Sequence, residues 1–251
     1  MTDHVRVERI ERVLAITLDR PAAKNALTHD MYTAVADGLA DADGSAQIRC
    51  VVITGEGDAF TAGNDLGDFA KPMPAGTPPV VRFLETLRDI DTPVIAAVNG
   101  VAVGVGLTLL LHCDLAFASE NATFSAPFAR VGLVPEAGSS MLLPRALGNA
   151  WANDILLAGR TLTSTDALVA GLVSRVVPLE DLRDLAIRVA NQIASFAPNA
   201  VRESKRLIRA DRNLIVECMG RESEVFWGQL GSKEFSESAL AMKEQRAPVF
   251  E

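Results

Sequence analysis

Only three cysteines stand in the 251 residues, Cys50, Cys113 and Cys218. They are odd in number, far apart and set in apolar or helical surroundings, without CxxC or CxxH spacing. That argues against a disulfide framework or a zinc site and predicts buried thiols in a reducing compartment. Histidine is as scarce: His4 near the start, His29 just past a helix cap, and His112 inside an apolar run. No GxSxG elbow accompanies them, so a Ser-His-Asp triad finds no support, and His112 reads as a core imidazole. No pair of histidines or acids has ligand spacing, so no metal is expected.

Positive charge is also short, with 24 Lys and Arg against 32 Asp and Glu and a net charge of −8. A nucleic-acid partner would require a basic face, and an anionic substrate would require a local cation. No uninterrupted apolar run is long enough for a membrane span. The longest tract, "PVIAAVNGVAVGVGLTLLLHCDLAFAS", is broken by Asn99, three glycines, His112 and Asp114. It reads as a buried strand, a turn, a helix and another strand. The opening "MTDHVRVERI" carries charges throughout and lacks the apolar stretch of a signal peptide. A soluble cytoplasmic protein, with neither nucleic acid nor membrane as partner, is the expectation.

What is present is ordinary for a globular protein: 49% apolar and 22% charged residues. "VRVERIERVLAITLDRP" alternates with a polar break near Glu11, which predicts two strands. Thr28 caps a helix over "HDMYTAVADGLADA", with Met31, Val35 and Leu39 on one face. "IRCVVITGEGDAF" reads as a buried strand, "PVVRFLETLRDID" as an amphipathic helix, and "PVIAAVNG" and "CDLAFAS" as further strands. This ββαβαβαβ order implies an α/β fold with a mostly parallel sheet. After residue 139 the pattern turns helical, with one more strand at "LVSRVVP". A boundary near Pro198 divides an α/β core, residues 1–197, from a helical region, residues 198–251.

Two glycine-bearing loops and one carboxylate are the candidate chemistry. "GVAVGVG" lacks the third glycine of a dinucleotide fingerprint, because Leu109 stands there, and no acid follows about twenty residues on. What remains is a turn that lets helix N-terminal amides approach a partly negative ligand atom. "FTAGNDLGDF" also ends a strand, so the amides of two loops could together form an oxyanion hole, or both could be plain turns. Glu136, in "VPEAGSS", has two readings: a charge complementing the positive end of the next helix, or an unpartnered base. Spacing leaves both open.

Together these segments resemble the crotonase (enoyl-CoA hydratase/isomerase) superfamily over nearly the whole chain. "RPAAKNAL" resembles its N-terminal CoA-side segment, and "FTAGNDL" and "NGVAVGVGLTLLLHCDLAFAS" its two oxyanion loops. "ATFSAPFARVGLVPEAGSS" resembles the segment that follows. The resemblance implies a spiral core of ββα units with a C-terminal helical region used in oligomer contacts, a homotrimer or hexamer. It implies an acyl-CoA thioester substrate, with coenzyme A entering as part of the substrate and no prosthetic group. Carried over, the oxyanion donors are the backbone amides of Asn64 and Val105, the latter where the hydratases usually have glycine. Lys24 would meet the CoA phosphates, and the backbone around Ala62, Asp65 and Leu66 would hold the adenine end.

The acids depart from the hydratase pattern. Thr108 and Phe128 stand where the hydratases carry two glutamates, and Glu136 stands where Δ3,Δ2-enoyl-CoA isomerases of the peroxisomal type place a single one. The resemblance therefore implies an isomerase of fatty-acid β-oxidation with Glu136 as its proton shuttle and Phe128 filling the vacated space. A hydratase, or another CoA-thioester enzyme using an acid such as Asp68, is the alternative. A non-catalytic acyl-CoA binder is a third.

Overall fold

The computed structural model of the chain describes residues 2–69 and 76–250. In chain order its elements are β1 (Val5–Ile10), β2 (Val13–Leu18), α1 (His29–Gly44), β3 (Cys50–Gly55), β4 (Ala59–Thr61), α2 (Leu66–Phe69) and α3 (Pro79–Asp89). There follow β5 (Val94–Val98), β6 (Val101–Val103), α4 (Val105–Thr108), β7 (Leu115–Ser119), β8 (Thr123–Ser125), α5 (Ser139–Leu147) and α6 (Asn149–Leu156). The last are β9 (Leu162–Thr163), α7 (Ser164–Ala170), β10 (Arg175–Val177), α8 (Leu179–Ser195), α9 (Pro198–Ile208), α10 (Arg212–Leu230) and α11 (Lys233–Lys243).

Two sheets organise the core. Six strands run in the order β1-β2-β3-β5-β7-β10 and four in the order β4-β6-β8-β9. β1 and β2 pair antiparallel, as their alternation and tight turn require, while β2, β3, β5, β7 and β10 are parallel. Each of the pairs β3–β4, β5–β6 and β7–β8 sends one strand into each sheet. The chain thus climbs as a spiral, which matches the crotonase-like α/β architecture.

Continuous apolar runs bury the inner strands β2, β3, β5 and β7 of the six-stranded sheet on both faces. Val51 and Ile53 of β3 face the main core with Leu14, Ile16 and the apolar face of α1. Their neighbours Cys50 and Val52 point the other way, onto Leu182, Leu185, Ala186 and Val189 of α8. Fully burying a Leu or Val side chain contributes roughly 1.5–3 kcal/mol, so this one face is enough to hold α8. Thr28 caps α1 as expected, its hydroxyl accepting the Met31 amide at 3.2 Å.

The short strands β4, β6, β8 and β9 were not legible in the residue pattern. At two or three residues each, they show no alternation and are defined by their neighbours. Beyond Pro198, α9 is anchored by a buried lysine. Lys205, 5% exposed, reaches Asp114 at 2.7 Å and the Thr92 carbonyl at 2.8 Å. All three thiols are free, Cys50 and Cys218 buried and Cys113 half-buried. Among the described residues no helix is long and apolar enough to cross a membrane, and no group of three or more potential metal ligands occurs.

Candidate functional site

β4 and β6 lie side by side and parallel in the four-stranded sheet, Ala59 opposite Val101 and Thr61 near Ala102. Their C-terminal loops, some forty residues apart in sequence, therefore emerge together. In the first loop Gly63 has φ +93°, and a Cβ there would sit 2.9 Å from the Val103 carbonyl oxygen of the second. In the second, Gly104 adopts φ 57°, ψ −116°, outside the regions open to L-residues. Each glycine immediately precedes one of the expected oxyanion donors.

The direction of the Asn64 amide follows from its pairing. Asn64 bridges Leu27 in a parallel register, with Leu27 N–H donating to the Gly63 carbonyl at 2.8 Å and Asp65 N–H to the Leu27 carbonyl at 3.0 Å. In such a bridge the flanking groups bond to the partner strand, and the middle residue's own N–H points to the opposite side. The Asn64 side chain is tethered separately, its Oδ1 accepting the Tyr32 hydroxyl at 2.5 Å. Val105 is the first residue of α4, and the first amides of a helix have no partner within it. Val105 is buried, its branched side chain packed into the core, so the residue is accommodated while its amide stays available.

Glu136 lies in the loop that leads to α5. Its Oε1 accepts the Thr108 hydroxyl at 2.5 Å. Thr108 stands three residues after Val105, so one turn of α4 carries an amide at one end and the carboxylate's hydrogen-bond donor at the other, on the same face. The next residue, Ala137, is held at φ +58°, a strain of about 1–3 kcal/mol that such positions carry. The His112 imidazole fixes it, Nε2 donating to the Ala137 carbonyl at 2.7 Å. Burial pushes the Glu136 carboxyl up to about 7; the Thr108 hydrogen bond works against this and the nearby Glu222 charge adds to it. Burial also takes His112 down to about 4 and lifts the Tyr32 phenol well above its usual value.

The first reading of Glu136, as the charge complementing α5, is corrected here. The start of that helix is met by Glu222 of α10, which accepts the Gly138 amide at 2.5 Å and the Ser140 amide at 2.8 Å. Glu136 instead opens onto a cavity of about 220 Å³, whose wall includes Asn64, Leu84, Ala137, Met219 and Trp227. The other acid on that wall, Glu85, is exposed.

The remaining expected residues distribute as follows. Lys24 is exposed in a left-handed turn at φ 49°, and its carbonyl accepts the Ala62 amide at 2.9 Å. With the Ala62 and Asp65 amides both used inside the fold, these residues have only carbonyl oxygens to offer a ligand. The Asp65 carboxylate is taken by Arg20 at 2.6 Å, which holds it below the usual carboxylate range. Leu66 opens α2. Asp68 accepts the His29 amide at 2.6 Å, at the start of α1. Phe128 is buried in the main core.

Tyr32, the Thr108–Glu136 contact and the contribution of α10 are not legible in the sequence. Thr108 stands there only as a replaced acid, and its spacing of three from Val105 is the one local signal of its contact. Tyr32, the single tyrosine, carries no local sign of its partner. The α10 residues lie eighty positions beyond the loop they touch.

A family profile described as enoyl-CoA hydratase/isomerase matches residues 8–251. The chain belongs to the enoyl-CoA hydratase/isomerase family. A solved enoyl-CoA hydratase/isomerase from Pseudoalteromonas atlantica is 51% identical with a TM-score of 0.98, over 99% of this chain and 100% of that one. Among curated relatives, "Probable enoyl-CoA hydratase echA8" of Mycobacterium bovis is 36% identical over 98% of this chain and 97% of its own length. The 2,3-dehydroadipyl-CoA hydratase of Escherichia coli is 34% identical over 97% of each. These names speak of hydratases and hydratase/isomerases, and give no separate support to the peroxisomal-type isomerases. This family member is an enzyme of CoA-thioester chemistry.

Proposed function

We propose that the chain is a Δ3,Δ2-enoyl-CoA isomerase that moves the double bond of a 3-enoyl-CoA to give trans-2-enoyl-CoA. The observation that carries this reading is Glu136, a half-buried carboxylate raised to about 7, bonded to Thr108 and open to the cavity beside Asn64. The thioester oxygen would accept the amides of Asn64 and Val105, which acidifies C2 because negative charge moves onto that oxygen as the proton leaves. Glu136 takes the C2 proton, leaving a dienolate, and the same carboxyl returns a proton at C4. No water is consumed, so no second acid is needed to activate one. A carboxyl near 7 accepts and releases the proton with little penalty either way.

Coenzyme A enters as part of the substrate. Lys24, exposed in its left-handed turn, would meet its phosphates, and the carbonyls of Ala62, Asp65 and Leu66 would accept from the adenine amino group. Fatty-acid oxidation supplies such 3-enoyl thioesters.

The names of the relatives favour a second reading, hydration of a 2-enoyl-CoA, in which Glu136 would activate water. Turnover of 3-hexenoyl-CoA and crotonyl-CoA by the purified protein separates the two. Isomerisation should dominate, and Glu136→Gln should lower it by about 10²-fold or more, the scale of a general base. Hydration of crotonyl-CoA faster than isomerisation would replace the first reading with the second. Binding of both thioesters without turnover would leave only an acyl-CoA binder.

A further inference from the structure

Glu222 is a buried acid that the proposed chemistry does not use. It projects from α10, and every strong contact it makes is to the segment that follows Glu136. Gly138 N–H donates to one carboxylate oxygen at 2.5 Å. Ser140 donates to the other twice, from its amide at 2.8 Å and from its hydroxyl at 2.5 Å. The Cys218 thiol, one turn earlier on α10, lies 3.6 Å from that second oxygen. Two amides and a hydroxyl, all donors, match the acceptor-only inventory of an ionised carboxylate.

The helix start alone does not call for an acid from so far away. α5 begins at Ser139 behind Gly138, and no side chain of the loop itself caps it. What the clamp does is hold a strained loop. Ala137 and Gly138 both have positive φ, 58° and 72°, and the loop is gripped from two sides, by His112 on the Ala137 carbonyl and by Glu222 on the amides beyond. Between these grips and the Thr108 hydroxyl, Glu136 has little freedom to turn.

We propose that Glu222 is a positioning residue for Glu136. Its carboxylate clamps the 138–140 segment, fixes the direction of the Glu136 side chain, and sets a second negative charge beside it. The inference rests on Glu136 being the proton carrier. Through Glu222, the C-terminal helical region becomes part of the site: α10 tunes the base while Met219 and Trp227 of the same helix wall the cavity.

The titratable and charged groups around Glu136 are Tyr32 from α1, Glu85 and Arg88 from α3, His112 after α4, and Cys218 and Glu222 from α10. Tyr32 is raised well above its ordinary value by burial and His112 is lowered to about 4 by burial. Cys218 is raised, chiefly by burial, and Arg88 is raised by its hydrogen bond to Asp89. An acid-limb inflection that Glu136→Gln removes reports Glu136.

The test is the pH profile of kcat/KM for Glu222→Gln on 3-hexenoyl-CoA, with kcat, KM and Tm measured alongside. Only the ionised base works, so the rate falls below the Glu136 midpoint. Removing the neighbouring negative charge eases ionisation, and the acid limb should move to lower pH by about half a unit or more. The plateau kcat should fall roughly threefold to tenfold, because the base is weaker and less well aimed, with KM changing less than kcat. An acid limb left in place, whatever happens to Tm or the plateau, overturns the proposal and leaves Glu222 a structural clamp.

Should Glu222→Gln not fold, Glu222→Asp takes its place. It keeps the charge but draws it back toward α10, and must move the limb in the same direction by less; no movement overturns the proposal. Glu136→Gln run in parallel separates the two levels. If that variant is as fast as the wild type, the proton-carrier reading falls and this inference with it. If it is inactive and the limb of Glu222→Gln has not moved, the inference on Glu222 alone is lost.

Discussion

Glu136 is held in a compromise between folding and reactivity. The desolvation that lifts its carboxyl to about 7 makes the folded state bind a proton that the unfolded chain, with its carboxyl at the ordinary 4.5, has already released. Between those two pH values the native state carries the extra proton, so stability declines as pH rises through the window. Each pKa unit corresponds to about 1.4 kcal/mol. Glu136→Gln should therefore be more stable than wild type at pH 8, by about 1–3 kcal/mol, and equal to it near pH 4. Denaturant melts at the two pH values measure this; a variant less stable than wild type at pH 8 would mean that the carboxylate is not destabilising there. The same substitution should lower turnover by about 10²-fold or more if Glu136 carries the proton, so stability and activity would change in opposite directions at one residue.

At the scale of elements, the site depends on where β4 and β6 end. Neither strand has a pattern of its own, but their parallel pairing brings two glycine loops together; the Leu27 bridge turns the Asn64 amide away from its partner segment, and Val105 opens α4. Gly104, at φ 57°, ψ −116°, holds a backbone conformation that L side chains rarely adopt. Gly104→Ala should relax that turn and displace the Val105 amide. Loss of one oxyanion donor costs about 10²–10³ in kcat, so the variant should fall by that order while its far-ultraviolet circular dichroism stays that of the wild type. Retention of more than a tenth of wild-type kcat would show that Val105 is not a donor. The glycine turns were legible in the sequence because glycine marks backbone that other residues cannot adopt. Which amides they free was not, because that depends on the hydrogen bonds of Leu27, a residue on a different segment.

For the whole molecule, the question is how the helices after Pro198 stay on the core. α9 is joined through Lys205, Arg209 and Asp114: the lysine at 2.7 Å and the arginine at 3.1 Å from the same carboxylate. Asp114 also accepts the Val94 amide at 2.7 Å, so the joint ties α9 to two strands at once. Burial lowers the Lys205 pKa, the expected cost of placing an ammonium inside. Lys205→Met removes one partner of a buried pair but leaves Arg209 in place, and should destabilise by about 2–4 kcal/mol, somewhat under the usual penalty for a broken buried pair. Hydrogen exchange should rise first in α9 and α10. Uniform change across the chain would instead place Lys205 outside the joint. Because α10 carries Glu222 and part of the cavity wall, the same variant should lose kcat in proportion to that opening.

By itself the sequence determined the local elements and the chemistry available to them. Apolar runs set the doubly buried strands, Thr28 the start of α1, and glycines the two loops. The solitary acid of "VPEAGSS" was visible, with Thr108 and Phe128 where the resembling hydratases have theirs. All of these are signals carried by a residue and its near neighbours. Spacing alone left Glu136 between a helix-start charge and a base, and only the tertiary structure shows the surroundings that support the second reading. Those surroundings are the Thr108 hydroxyl on its carboxylate, Glu222 of α10 on the Gly138 and Ser140 amides, and the burial that raises its pKa. Each of these is a contact between distant segments, and a carboxylate's behaviour is set by its desolvation and its partners, neither of which local sequence encodes.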